Sequence, residues 1–355
     1  MTQSIVDDSE FHALRAFSAA LGKDPKRTQA AGGNTSIKRD GVMWIKASGT
    51  WLAHALERDI MVPVKLPELL AALGAGDPRA EAALDFVDQA HNPSKLRPSI
   101  ETSVHAVIPQ AVVAHIHCVE TIALAVRQDC EALIAERLAP LDGISWAFIP
   151  YCKPGLFLST KIAERLTPRT NVLILGNHGL VVAGDTVAEA KERLAKVCDA
   201  LAQAQRPALL ADRAGLEAAI AKSDYRLPDD DDVHSVTLDP ISAAHIRGGS
   251  LYPDHVIFLG PGVIETDDLI AGAAIRRPEA KEGPPSMLII PGLGIVLHHS
   301  TTAAADALAR CLWDVASRIP AGAAIRHLSS AQDYELTHWE AETYRQALDA
   351  KAARA

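Results

Sequence analysis

The chain has 355 residues, 48% of them apolar and 22% charged, with a formal charge of −9, which allows one large domain or two with ample core. That acidity opposes a phosphodiester backbone, so nucleic acid is set aside as a partner, while a small anionic substrate is not, because a few local donors outweigh a distant net charge. No stretch of about 18 uninterrupted apolar residues occurs, and the acidic start "MTQSIVDDSEFHALRAF" lacks an apolar leader segment, so neither a membrane span nor secretion is expected.

In chain order, the pattern predicts a helix over residues 8–21, ending near Gly22, with Leu14, Phe17 and Leu21 on one face. In "AAGGNTSIKRDGVMWIKASGTWLA" the Arg39-Asp40-Gly41 turn joins "TSIK" to "VMWIK" as a hairpin. Residues 66–91 read as helical. "RPSIETSVHAVI" opens another helix with Ser99 as N-cap, and "AVVAHIH" is a strand feeding a helix from Val119. Residues 143–205 give strand, Gly/Pro loop, helix, strand, turn, strand and a long helix from Thr186. "KSDYRLPDDDDVHS" reads as a linker or exposed connection. After it come "HVIFLGPGVI", a helix, "SMLIIPGLGIVL" and a helix from Thr301. The five cysteines, Cys118, Cys130, Cys152, Cys198 and Cys311, show no paired spacing and read as reduced, buried thiols of a cytoplasmic protein.

The late region overlays an earlier one. "LILGNHGLVVAGDTVAEA" aligns with "LIIPGLGIVLHHSTTAAA", and "WAFIP" is matched with "VIFLG". In this alignment Gly179 falls on Gly294, Asn177 on Gly292 and His178 on Leu293. A scaffold used twice and two convergent units both remain open. Either way, a turn of this kind needs glycine or asparagine but not histidine, which points to a functional role for His178.

The chemistry starts at His115 and His117. Residues i and i+2 of a strand face the same way, so both imidazoles project together, and a third from elsewhere would complete a three-nitrogen metal site. His178 is the candidate third. The adjacent pair His298-His299 diverges on a strand and reads as surface. Glu101, placed in the first turn of a helix, stands 14 residues before His115, and a helix folded back on its following strand would bring the carboxylate to the strand's end. "GGNTS" at 32–36 and "KASGT" at 46–50 are rich in small donors suited to phosphate. They are no P-loop, and no GxGxxG opens a helix, so no dinucleotide site is indicated.

These pieces in this order, "GGNTS", "KASGT", "RPSIE", "HIH" and "GNHG", resemble the class II aldolase/adducin family across residues 8–205. "VMWIKASGT", "YPDHVIFLGPGV" and "WEAETYRQAL" extend the likeness to the aldolase portion of bifunctional rhamnulose-phosphate aldolase/alcohol dehydrogenases. Those proteins continue into a short-chain dehydrogenase where this chain ends at Ala355, so an aldolase without the reductase half is expected. The resemblance implies His115, His117 and His178 as ligands of a divalent metal, zinc first, and Glu101 as the acid/base. It implies Asn34, Ser48, Gly49 and Ser99 as phosphate contacts, with Gly33 and Lys46 as further candidates. Lys46, taken by itself, reads as a solvated strand-end lysine. Ile100 stands where the family often has a second serine, and no residue here matches the tyrosine that some aldolases bring from a neighbouring subunit; Tyr151 matches another position.

The fold implied is α/β: three α/β/α layers around a mixed, largely antiparallel sheet. Residues 1–222 are expected as the metal-dependent catalytic domain, and 223–355 as a smaller α/β extension that is a candidate degenerate repeat of 145–205. The function implied is a lyase cleaving a ketose, a ketose 1-phosphate first, by retro-aldol chemistry through a metal-stabilised enediolate. A decarboxylase of a phosphorylated 3-keto sugar acid is the alternative, and a non-catalytic adducin-like binding module the second. The epimerases of the family carry aspartate at the Glu101 position, which counts against that activity. A sugar or sugar-phosphate substrate and a homo-oligomer, a tetramer by analogy, complete the expectation.

Overall fold

The computed structural model describes residues 8–352; the acidic start lies, as far as residue 7, outside them. Two compact units emerge, one comprising residues up to Thr121 with Ile134–Leu201, the other Ile122–Leu133 with the chain from Ala202 on.

In the first unit Asp8 accepts from the amides of Glu10 and Phe11 and so caps the helix Ser9–Lys23. Seven strands follow: β1 (Asn34–Arg39), β2 (Val42–Lys46), β3 (Met61–Lys65), β4 (Val112–Ile116), β5 (Trp146–Ile149), β6 (Val172–Leu175) and β7 (Gly179–Gly184). They form one sheet in the order β3-β2-β1-β4-β7-β6-β5. Every neighbouring pair is antiparallel except β5 and β6. The β1–β2 hairpin turns at Asp40 and Gly41, both at positive φ (50° and 80°), which is what a two-residue type I′ turn demands.

One face of the sheet carries Val113, Leu173, Leu175, Val181 and Ala183 packed with Val104, Ile108, Leu158 and Ile162, which come from the helices Thr102–Val107 and Leu156–Arg165 and the residue after the first. Each valine, leucine or isoleucine among them, fully buried, contributes about 1.5–3 kcal/mol. The helices Ser9–Lys23 and Val187–Ala200 pack against β1, β4 and β7 but add nothing to that cluster, which yields the three-layer arrangement. Register then sets the site: Asn34 pairs with His115, and His115 with Val181.

Two local expectations for this unit change. Residues 66–91 form a helix only over Leu66–Gly74, followed by single 3-10 turns at Pro78–Ala80, Leu84–Phe86 and Gln89–His91. Gly76 at φ +67° and Pro78 stop the helix. β3 went unforeseen because Pro63 weakens its strand pattern; it lies at the sheet's edge, where a missing N–H is tolerated.

The second unit holds β8 (Tyr225–Arg226), β9 (Met287–Ile290) and β10 (Gly294–His298), in the order β8-β10-β9. Its core includes Leu216, Tyr225, Leu269, Leu288, Ile290 and Val296. Of the two readings of "KSDYRLPDDDDVHS", the linker fails, since the segment lies within this unit, and the exposed connection holds at Lys222, Asp224, Asp229, Asp231 and Asp232. Tyr225 is 1% exposed, and the acids around it pair with arginines: Arg226 with Asp306 at 2.6 Å, Arg310 with Asp230 at 2.6 Å and Arg213 with Asp231 at 2.7 Å.

The hairpins β6–β7 and β9–β10 share a register, Leu175 opposite Gly179 and Ile290 opposite Gly294. They also share a left-handed residue at the tip, Asn177 at φ 54° and Gly292 at φ 74°. A threonine then caps the following helix in each, Thr186 before Val187–Ala200 and Thr302 before Ala303–Ala316. The match of "WAFIP" with "VIFLG" fails, because "VIFL" belongs to the helix Pro253–Leu259, whose residues are all buried. A short apolar run buried all round shows no period that separates helix from strand. The parallel partner of β9 is instead Glu265, opposite Ile289, as β5 is to β6. No helix among the described residues is long and apolar enough to cross a membrane.

Candidate metal centre

Three backbone devices bring four side chains together. His115 is on β4 and His117 just past its end, and both rings turn to one side: their Nε2 atoms are 3.1 Å apart. His178 hangs from the β6–β7 turn, where Asn177 supplies the left-handed residue and Gly179 the close approach. A Cβ on Gly179 would stand 2.4 Å from the Ile116 carbonyl oxygen and 3.4 Å from His115 Cε1. The three motif positions thus divide the labour, asparagine for the turn, histidine for the site and glycine for strand contact. Gly179→Ala is expected to cost about 1–3 kcal/mol or more and to part β4 from β7 beneath His115. Chemical denaturation together with metal content checks both.

Glu101 comes from the segment folded back on β4. It stands immediately before the helix Thr102–Val107 rather than inside its first turn, and its side chain caps nothing. Ser99 is likewise not the N-cap: its hydroxyl accepts from the Glu101 amide. Freed from capping, the carboxylate reaches the imidazoles, with Oε2 at 3.3 Å from His115 Nε2 and Oε1 at 3.6 Å from His178 Nε2. Burial by itself would raise its pKa, but the facing His115, His178 and His117, when protonated and free of metal, together with the Asn34 amide outweigh this and hold it at about 2.

The donor set fits a divalent cation. All four groups are buried, and their candidate ligand atoms lie within 4.8 Å of one another. In a tetrahedral zinc site with bonds of 2.0–2.1 Å, ligand atoms sit roughly 3.3–3.4 Å apart; the distances of 3.1, 3.3 and 3.6 Å bracket that spacing. His115 Nδ1 is 3.1 Å from the Leu180 carbonyl oxygen, so this nitrogen carries the proton and Nε2 presents its lone pair. Glu101 Oε1 is buried and accepts no hydrogen bond, an arrangement that a cation relieves.

The donor-rich segments adjoin this cluster. Asn34 Nδ2 donates to Glu101 Oε2 at 2.8 Å and to Ser99 Oγ at 3.1 Å. Ser48 and Ser99 are buried and joined through neighbouring backbone, Ser48 N to Arg97 O and Ser99 N to Lys46 O, both 3.0 Å. Gly49 turns at φ +73° and Gly33 at φ +68°, with the His115 carbonyl oxygen 2.9 Å from where a Gly33 Cβ would be. Lys46 is not solvated. It is 2% exposed, and its ammonium donates to the carbonyls of Ala31 and Thr50 at 2.7 Å each, tying the loop before β1 to the loop after β2. Two positioning contacts had no signal in the sequence: the Leu180 carbonyl on His115, and Gln29, whose Nε2 donates to the His117 carbonyl at 3.3 Å. His298 and His299, partly or fully exposed, lie on and just beyond β10.

A sequence profile of the Class II Aldolase and Adducin N-terminal domain matches residues 14–205, more than half of the chain. A curated relative from Bacillus subtilis (strain 168), the uncharacterised oxidoreductase YuxG, is 29% identical over 178 residues, which are 47% of this chain and 25% of that protein. The chain thus spans about a quarter of the length of the curated relative it matches. Among solved structures, the N-terminal class II aldolase domain of a conserved protein from Thermoplasma acidophilum is 25% identical with a TM-score of 0.47, covering 57% of this chain and 95% of that one. The L-fuculose-1-phosphate aldolase from Thermus thermophilus is 17% identical with a TM-score of 0.37, covering 54% and 90%.

Proposed function

Because the chain belongs to the class II aldolase and adducin family, we propose that it is a lyase cleaving a ketose, a ketose 1-phosphate first, at the Glu101, His115, His117 and His178 cluster. The observation that carries this reading is the spacing of four buried donors around one point. His115, His117 and His178 would hold a divalent ion, zinc first. Bound there, the ion supplies a Lewis acid for the substrate's carbonyl and neighbouring hydroxyl oxygens, the electron sink that carbon–carbon cleavage requires.

The chain's own groups do the rest. Glu101, ionised by its surroundings, takes the proton that the substrate's hydroxyl gives up as the carbon–carbon bond breaks and delivers it to the carbon next to the carbonyl. Such a positioned base is worth typically ~10²–10⁴-fold in rate. Asn34, donating to Glu101 Oε2, aims that carboxylate. Ser48 and Ser99 offer hydroxyls and Gly49 its amide to a phosphate, whose anchoring fixes the reacting carbons against Glu101. Burial of the cluster keeps bulk water from quenching the carbanion. The three histidines separate this reading from a non-catalytic binding module. The second unit we read as a degenerate copy of the β5–β7 region in which Leu293 replaces the ligating histidine, and the active assembly as a homo-oligomer in the cytoplasm.

The test is a screen of ketose 1-phosphates and phosphorylated sugar acids against metal-loaded protein, with triose phosphate and CO₂ measured together. Triose phosphate with no CO₂ is the expected result. CO₂ without aldehyde assigns the decarboxylase, and neither product with any substrate removes the enzyme reading.

A further inference from the structure

We propose that the second unit holds a binding site for a phosphate group, free or as a small phosphomonoester, in the cavity lined by the Gly260-Pro261-Gly262 turn and by residues 275–277 and 280–287. Arg276, Arg277 and Lys281 are its cationic donors.

The cavity has a volume of about 250 Å³ and is walled entirely by this unit. Its charge is what sets it apart. Four other arginines of the unit face carboxylates closely: Arg206 faces Asp239, Arg226 Asp306, Arg247 Glu265 and Arg345 Asp254, all at 2.6–2.7 Å. Arg276, Arg277 and Lys281 form no ion pair this close among the described residues; the nearest opposite charges that act on them are Asp333 on Arg277 and Glu342, itself paired with Arg345, on Lys281. Arg277 donates to the carbonyls of Pro261 and Val263 at 3.1 and 2.6 Å, and Arg276 to those of Ala273 and Ile275 at 2.7 and 3.0 Å. Lys281 donates to Thr343 Oγ1 at 2.9 Å and Gln346 Oε1 at 2.7 Å. Three cations thus meet one lining carboxylate, Glu282.

Neutral acceptors orient these groups without cancelling their charge, and each keeps N–H donors to spare, since a guanidinium has five and an ammonium three. Pre-oriented, charge-assisted donors of this kind are what phosphate recognition uses, because little ordering remains to be done on binding. The walls are fixed by two sequence motifs that the metal centre does not use. "YPDHVIFLGPGV" and "WEAETYRQAL" are locked together by the Arg345–Asp254 ion pair and by Gln346 Nε2 donating to the Ile257 carbonyl at 2.6 Å. The volume exceeds what one phosphate ion fills, which leaves room for a short carbon chain. Its concave shape and the chain's net acidity favour a small ligand over a polymer.

The experiment titrates the full chain with inorganic phosphate and with glycerol 1-phosphate at constant ionic strength by calorimetry, for wild type and for Arg276→Gln/Lys281→Gln. A saturable phosphate site weakened at least tenfold in the double variant, with cleavage rate unchanged, is expected. Tighter binding of glycerol 1-phosphate assigns the phosphomonoester, and equal binding the free ion. Binding of both anions that is identical in wild type and variant overturns the site, as does wild type with no phosphate site beyond one removed by substituting Ser99. Should the double variant fail to fold, Arg276→Gln alone carries the same test, since its guanidinium bonds only carbonyls of its own turn. The cleavage assay is a separate readout, so failure here leaves the catalytic reading standing, and the converse holds.

Discussion

His117→Ala is expected to remove bound metal and cleavage together. The substitution deletes one of three imidazole donors and leaves His115 Nε2 and Glu101 facing a gap. Loss of an outer hydrogen-bond partner already costs roughly 10–100-fold in metal affinity, so loss of a ligand is expected to exceed ~10²-fold. Metal bound at ~1,000 times its dissociation constant adds about 4 kcal/mol of stability. The thermal midpoint of wild type should therefore fall on chelation, while that of His117→Ala should not respond. Elemental analysis of the purified variant and its melting curve with and without chelator read both effects. Cleavage by a metal-free variant would reject the catalytic scheme.

Glu101→Gln separates chemistry from metal binding. The amide keeps the shape and an acceptor for Asn34 but loses the negative charge and the basic oxygen. Metal content should stay within the wild-type range while turnover falls by ~10²–10⁴-fold. Unchanged turnover would remove Glu101 from the proton-transfer role. A linked effect appears in stability. In the metal-free protein the folded carboxyl is held at about 2, below its ordinary value of 4.5. Its contribution is therefore fully present above pH 4.5 and lost as pH falls towards 2. In Glu101→Gln this part of the acid limb should flatten, read by denaturation at pH 5 and below.

How much of this was legible follows from what kind of signal each residue leaves. The His115/His117 pair could be read because strand geometry is local: two residues apart means the same side. His178 stood out because the turn it occupies asks for Asn177 and Gly179 but not for an imidazole, and the β9–β10 turn does without one. Glu101 could be placed near the strand end only through the short helix between them. Its escape from the helix's first turn was not readable, because "RPSIETS" offers several capping residues and the choice rests on contacts from Asn34 and Lys46. Lys46 shows the limit most clearly. A lysine ending a strand beside glycine and serine looks solvated, and only the closeness of the Ala31 and Thr50 carbonyls, 15 residues back and 4 ahead, makes burial affordable. Asn34 reads as a phosphate donor in a glycine-rich loop, yet β1–β4 register sets it opposite His115 and turns its amide to Glu101. In the second unit the match of "VIFL" with a strand and the linker reading of "KSDYRLPDDDD" failed for a shared reason. Both segments carry composition without period, and tertiary partners, the buried face in one and arginines in the other, decided their conformation.

His115, His117 and His178 are proposed to hold a single divalent cation beside the Glu101 carboxylate. Anomalous X-ray diffraction at the zinc edge, on crystals of metal-supplemented protein, tests it most directly. One peak is expected within about 2.0–2.2 Å of a nitrogen of each of His115, His117 and His178. A zinc peak elsewhere with none between these rings, or rings splayed beyond bonding reach of a common point, would contradict it.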